Sequence, residues 1–185
     1  MKRDIKKTIN VPENVKVTIA MPKIIVEGPV GKVEKTFKVK GIEIKLDNDK
    51  VIIKKEKATK KEKKIINTIV SKIESMICGV KKEFEYQLQI CSTHFPISVD
   101  IEKQNNLLII KNFLGENKDR VVKVFPGIDI SINGDIITIK SPDKELAGQQ
   151  AANIEIATKI SARDRRIFQD GIWIIRKEKG RKREE

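Results

Sequence analysis

Apolar residues recur along this chain with two distinct periods. Val15, Val17 and Ile19 alternate with Lys16 and Thr18, and Ile128, Ile130 and Ile132 alternate with Asp129 and Ser131. Period two turns one row of side chains toward a core, so both stretches are predicted to be half-buried strands. Asn133-Gly134 follows the second. It predicts a type I′ hairpin, whose two central residues both need positive φ. The period then lengthens in two places. Ile65, Ile66, Ile69, Val70, Ile73, Met76 and Ile77 fall at helical spacing. Thr59-Lys-Lys-Glu62 before them is a capping-box pattern, and Gly79 stands where a C′ glycine is expected. Ser141-Pro142 supplies an N-cap and an N1 proline for a second helix carrying Leu146, Ala147, Gln150, Ala151, Ile154 and Ala157.

These elements occur in the same order twice. Val26-Glu-Gly-Pro-Val-Gly31 matches Ile110-Lys-Asn-Phe-Leu-Gly115, which makes Gly31 and Gly115 equivalent turn residues. Val15–Ile19 matches Val99–Lys103 at the same offset of 84, and Ile42–Leu46 matches Ile128–Ile132 at 86. The turns at Asp47-Asn48-Asp49 and Asn133-Gly134-Asp135 then coincide, as do Val51–Ile53 and Ile137–Ile139. The predicted fold is α+β: two tandem related units, each an antiparallel sheet with one helix packed on a face. The first unit is expected over 1–81 and the second over 82–177, with a basic tail at 178–185 and a thin connection at Val80–Glu85. Phe84–Cys91 is expected to run as strand into the second unit.

Charge adds a partner class to this picture. The 185 residues hold 39 Lys and Arg against 26 Asp and Glu, a net charge of +13, with a pI near 9.7. An anionic partner follows. The chain is rich in both Lys and Ile, as an A/T-rich genome would impose, so the placement of charge weighs more than the lysine count. Residues 1–81 are net +11, residues 82–162 net −2 and residues 163–185 net +4. No stretch approaches the ~20 apolar residues of a membrane span, and no apolar run follows Met1-Lys2-Arg3-Asp4-Ile5, so neither a membrane partner nor a secretory signal is expected. Cys78 and Cys91 make neither a disulfide framework nor a zinc site, which points to a reducing, cytoplasmic setting.

Catalytic residue types are scarce. His94 is the only histidine, and no phosphate loop or dinucleotide fingerprint occurs. No enzyme activity, metal, cofactor or small-molecule substrate is expected. Gly28-Pro-Val-Gly31 has the form of a backbone-gripping G-x-x-G loop but lies between strands, where a plain turn suffices. Basic runs remain. Lys54–Lys64 holds seven lysines, among them Lys60, Lys61 and Lys64. The C-terminal stretch holds Arg163, Arg165, Arg166, Arg176, Lys177, Lys179, Arg181 and Lys182. Five of the eight arginines lie between Arg163 and Arg181; the planar guanidinium grips phosphate oxygens in pairs. Aromatic residues are only 4%, so contacts to phosphates and shape, more than stacking, are expected to dominate. Asp170-Gly171 is expected to form a tight turn that lays Ile172 and Ile174 along the second unit as a short strand.

Arg163-Asp-Arg-Arg-Ile-Phe-Gln-Asp-Gly-Ile-Trp173 resembles the C-terminal signature of the large-subunit ribosomal protein six family, called large-subunit protein nine in eukaryotes, with Arg163, Arg166, Phe168, Asp170, Gly171 and Ile172 matching. Val11-Pro-Glu-Asn-Val15, Val26–Gly31, Gly79-Val80 with Phe84, His94-Phe-Pro-Ile97 and Asn112-Phe-Leu-Gly-Glu116 extend the resemblance over Ile5–Lys177. Trp173 replaces the family's usual Tyr and Ile156 its usual Gln. Lys54–Lys64 lacks a Trp-rich insert common in eukaryotic members, so the chain looks like a shortened eukaryotic version. The resemblance implies two α+β units and a structural role in the large ribosomal subunit. It also implies binding to large-subunit ribosomal RNA near the sarcin–ricin loop, beside neighbouring ribosomal proteins and the translation-factor site. The site would be cytosolic, and nucleolar during assembly in a eukaryote. An RNA-binding protein or chaperone acting off the ribosome is the alternative.

Overall fold

A computed structural model of the chain describes residues 3–37, 41–47, 50–164 and 166–177. Among these, the chain divides into two compact units between Glu83 and Phe84.

In the first unit the strands are β1 (Arg3–Asn10), β2 (Lys16–Ala20), β3 (Lys23–Glu27), β4 (Lys32–Thr36), β5 (Glu43–Asp47) and β6 (Lys50–Ala58), followed by helix α1 (Lys60–Lys81). They form two antiparallel sheets, ordered β1-β6-β5 and β2-β3-β4. The second unit repeats this plan with β7 (Phe84–Cys91), β8 (Ser98–Glu102), β9 (Leu107–Lys111), β10 (Arg120–Lys123), β11 (Asp129–Asn133), β12 (Ile136–Ser141) and helix α2 (Lys144–Ala157). An added strand, β13 (Gly171–Lys177), pairs with β7, giving the sheets β11-β12-β7-β13 and β10-β9-β8. The α+β plan of paired units is therefore present, with each unit's strands split between two sheets where one was expected.

The two periods of the sequence explain the cores. Alternate residues of β3 and β6 bury Ile24, Val26, Val51 and Ile53, and α1 sets Ile66, Ile69, Ile73 and Met76 against them. In the second unit Leu88, Ile110, Ile137, Ile139 and Ile172 are buried with Ala147, Ala151 and Ile154 of α2. The small residues of α2 let it lie close to β7, β12 and β13. Each buried cluster draws on one unit alone, and the connecting residues are only Lys82 and Glu83.

Several local expectations need correction. Gly79 does not end α1: the helix runs on to Lys81, and Gly79 and Val80 are buried within its last turn. Packing against the β3–β4 turn holds that last turn helical. Val30 donates its N–H to the Val80 carbonyl at 3.1 Å. A Cβ on Gly28 would lie 2.8 Å from both Val80 Cγ2 and Val80 O. The first glycine of G-x-x-G is thus required by close approach of backbone to helix, while Gly31 closes the turn by accepting the Gly28 N–H. At α2 the N-cap is Asp143, not Ser141. Ser141 is the last residue of β12, and its hydroxyl bonds Gly127 O and the Asp143 N–H instead. In the β11–β12 hairpin Asn133 pairs with Ile136, so the turn residues are Gly134 and Asp135. Of the two only Gly134 has positive φ, the φ pattern of a II′ turn. The matching turn at 47–49 falls partly on Asn48 and Asp49, outside the described residues.

Candidate nucleic-acid interface

The C-terminal signature of the chain is built around a buried carboxylate. After α2 the chain reverses at Asp164–Phe168, where Ile167 and Phe168 donate their N–H groups to the Asp164 carbonyl. The reversal expected at Asp170–Gly171 therefore lies earlier, and Gly171 opens β13, with Ile172 and Ile174 paired to Ile90 and Leu88. Asp170 has another task. It is 1% exposed and accepts hydrogen bonds from Thr93 N–H at 2.6 Å and His94 N–H at 3.0 Å, while its second oxygen lies 2.6 Å from His94 Nδ1. Burial disfavours its charge. The His94 backbone and ring and the Thr93 N–H outweigh that penalty and hold the carboxyl below the usual aspartate value. Asp170 thereby ties the segment after β7 to the entry of β13.

Arg163 stands on this frame. The His94 ring faces Phe168 at 4.9 Å between centroids, and the Arg163 guanidinium lies 5.0 Å over the Phe168 ring. The residue is exposed. Arg166 is exposed too and is held in place by Asp164 at 2.8 Å. This ion pair also keeps the Asp164 carboxyl below its ordinary value.

A second brace comes from Arg120 on β10, which sequence reasoning did not single out. Its guanidinium bonds both Glu116 oxygens, at 2.6 and 2.9 Å, and the Ala157 carbonyl at 2.7 Å, and it lies 4.1 Å over the Phe113 ring. It supplies the positive charge that the last turn of α2 lacks. Glu116 is held below its usual value chiefly by the Arg120 hydrogen bonds, with a smaller contribution from the charge of Arg163. The Asn112 side chain bonds Pro96 O, and Phe95 packs over Gly115, whose φ is +74°. Gly115 thus serves both as a left-handed turn residue and as a seat for Phe95. Segments 92–97, 112–116 and 157–170 meet around Arg163 through these contacts. Sequence spacing gave no signal for this, because the partners lie as far as 77 residues apart.

The remaining candidates are spread out. Arg176 and Lys177 are exposed at the far end of β13 from Asp170, a separation of roughly 20 Å at about 3.3 Å per residue. Lys60, Lys61 and Lys64 belong to the first unit, exposed on the opening turns of α1. Thr59 and Glu62 form the predicted capping box there. Lysines at the positive end of a helix dipole are mildly unfavourable and also favour an incoming anion. Arg165, Lys179, Arg181 and Lys182, and with them the tail at 178–185, lie outside the described residues. Among the described residues no group of three metal-ligating side chains occurs, and no helix is long and apolar enough to cross a membrane.

Residues 95–171 match the family model of ribosomal protein L6. The chain is 43% identical to large ribosomal subunit protein uL6 of Staphylothermus marinus, over 90% of this chain and 91% of that protein. It is 39% identical to the uL6 of Methanosarcina mazei, over 96% and 99%, and 41% identical to that of Saccharolobus solfataricus, over 94% and 96%.

Proposed function

Because the chain belongs to the ribosomal protein L6 family, we propose that its second unit anchors it to large-subunit ribosomal RNA through phosphates held by Arg163 and Arg166. The role is structural and not enzymatic. The observation that supports the anchor is the support beneath Arg163: its guanidinium lies over Phe168, which the His94 ring of the Asp170–His94 pair faces, and it is close enough to the Glu116 carboxylate to act on it by charge. A guanidinium fixed before binding loses little freedom on meeting a phosphate. An arginine needed only for solubility requires no such frame. Arg176 and Lys177, and Lys60, Lys61 and Lys64 on the first unit, extend the same reading to separate RNA segments. A chain with basic patches at several places neutralises helices that would otherwise repel one another.

The same proposal includes the finer location: the neighbourhood of the sarcin–ricin loop and the translation-factor site, with other large-subunit proteins alongside, in cytosolic ribosomes and in the nucleolus during eukaryotic assembly. It also includes the division into units 1–81 and 82–177 with a basic tail. The test replaces Arg163, Arg165 and Arg166 with Ala and follows incorporation into large subunits by gradient sedimentation. Loss of incorporation by a folded protein is expected. Unchanged incorporation and translation would remove the anchor from this segment. Wild-type protein that sediments apart from large subunits would support a role off the ribosome.

A further inference from the structure

A half-open cavity of about 490 Å³ lies in the second unit, lined by Cys91, Thr93, Ile160, Phe168, Gln169 and Trp173. We propose that this cavity takes one unstacked nucleobase of the bound RNA, seated against the Trp173 indole, with its flanking phosphate at Arg163. This rests on the RNA-binding reading above and names a ligand subsite within it. The volume falls in the roughly 300–1,000 Å³ range of small-ligand pockets. Its lining joins two aromatic side chains to a few polar groups, as base recognition on RNA requires: aromatic rings stack an unpaired base while amides and hydroxyls address its edge.

The wall that carries the proposal is Trp173. In a chain with eight aromatic residues, two of them, Phe168 and Trp173, line one cavity. Trp173 is 38% exposed, although burying an indole is worth more than burying any other side chain of the unit. It is also backed by main chain. A Cβ on Gly171 would lie 3.3 Å from Trp173 Cε2, Cζ2 and Nε1, so glycine lets the ring rest against the backbone. Gln169 and Thr93 supply the polar edge. The Gln169 amide nitrogen donates to Arg166 O, which leaves its carbonyl oxygen for a base amine. None of the described lining residues is a carboxylate, and the oxygens of nearby Asp170 are engaged by Thr93 and His94. Arg163, over the ring of the lining residue Phe168, places a positive charge beside the cavity. An uncharged apolar ligand would have no use for it, and an anionic polymer has.

The test uses the full chain and large-subunit ribosomal RNA. Trp173 is the only tryptophan, so its emission reports this cavity alone. Saturating RNA is expected to quench that emission. Trp173→Leu is expected to weaken binding roughly 5- to 100-fold, the range for one lost stacked base, with the slope of affinity against salt unchanged. Trp173→Tyr is expected to restore most of the affinity. Emission unchanged at saturation, in wild-type protein that needs no variant to fold, overturns the proposal, and so does full affinity in a folded Trp173→Leu protein. Absence of RNA binding altogether would instead overturn the RNA-binding reading on which the cavity depends.

Discussion

Replacing Asp170 with Ala removes the acceptor of three hydrogen bonds, two from backbone N–H groups and one from the His94 ring. Hydrogen bonds to a charged group contribute roughly 1.5–3 kcal/mol each. Thr93 and His94 are exposed, so water recovers part of that loss, and a net cost of about 3 kcal/mol is expected. For a unit of this size that lowers its thermal midpoint by roughly 12–24 °C. Asp170→Asn keeps one oxygen for the two backbone donors and should cost only about 1 kcal/mol. The pH dependence follows from the direction of the shift. The folded-state carboxyl lies below its ordinary value, so its stabilisation is complete above the unfolded-state pKa of about 3.9 and is lost as pH falls through the folded-state value. Between about pH 5 and pH 2 the Asn protein should therefore lose less stability than the wild type. Urea melts across that range, with amide exchange at Thr93 and His94, measure both effects. An Ala variant within about 0.5 kcal/mol of wild type, or equal acid slopes for the two proteins, would refute this account of Asp170.

Further outcomes follow from other contacts. Gly28→Ala should destabilise the first unit by about 1–3 kcal/mol. Adding Val80→Ala should restore only part of that loss in a melt, because the Val80 carbonyl is itself 2.8 Å from the new Cβ. Arg120→Lys should cost about 1–2 kcal/mol, since an ammonium cannot serve Glu116 and the Ala157 carbonyl together as the fork does. A double-mutant cycle with Glu116→Gln should show coupling between the two positions. Affinity for large-subunit RNA should fall with salt at a log–log slope of roughly −4 if about five phosphates are contacted, and a filter-binding titration giving a slope near zero would contradict phosphate anchoring.

Much of the fold is written in local periodicity. Val15 and Val17 alternate with polar neighbours and are buried, Ile66, Ile69 and Ile73 line one side of a helix, and Thr59 and Glu62 cap it, all as their spacing predicts. The repeat is legible because both units reuse the same order of periods. Its offset is less secure, and the reason is the same periodicity. Val26 faces Val17 in β3–β2, whereas Ile110 faces Val99 in β9–β8, so Val17 answers to Val99 and not to Ile101. The longer turn between β8 and β9 shifts the match by two residues, which returns every side chain to the same face and leaves the pattern unchanged. The family signature likewise marked Asp170, Phe168 and Arg163 without saying what they touch. Asp170 looked like a turn residue because Asp-Gly is common in turns. Only β13 pairing with β7 brings it under the N–H groups of Thr93 and His94. The same holds for Gly28 beneath Val80 and for Arg120 at the end of α2. Alternation and capping act over a few residues and can be read from the sequence. Contacts between distant segments depend on strand order and close approach, which the sequence does not order by position.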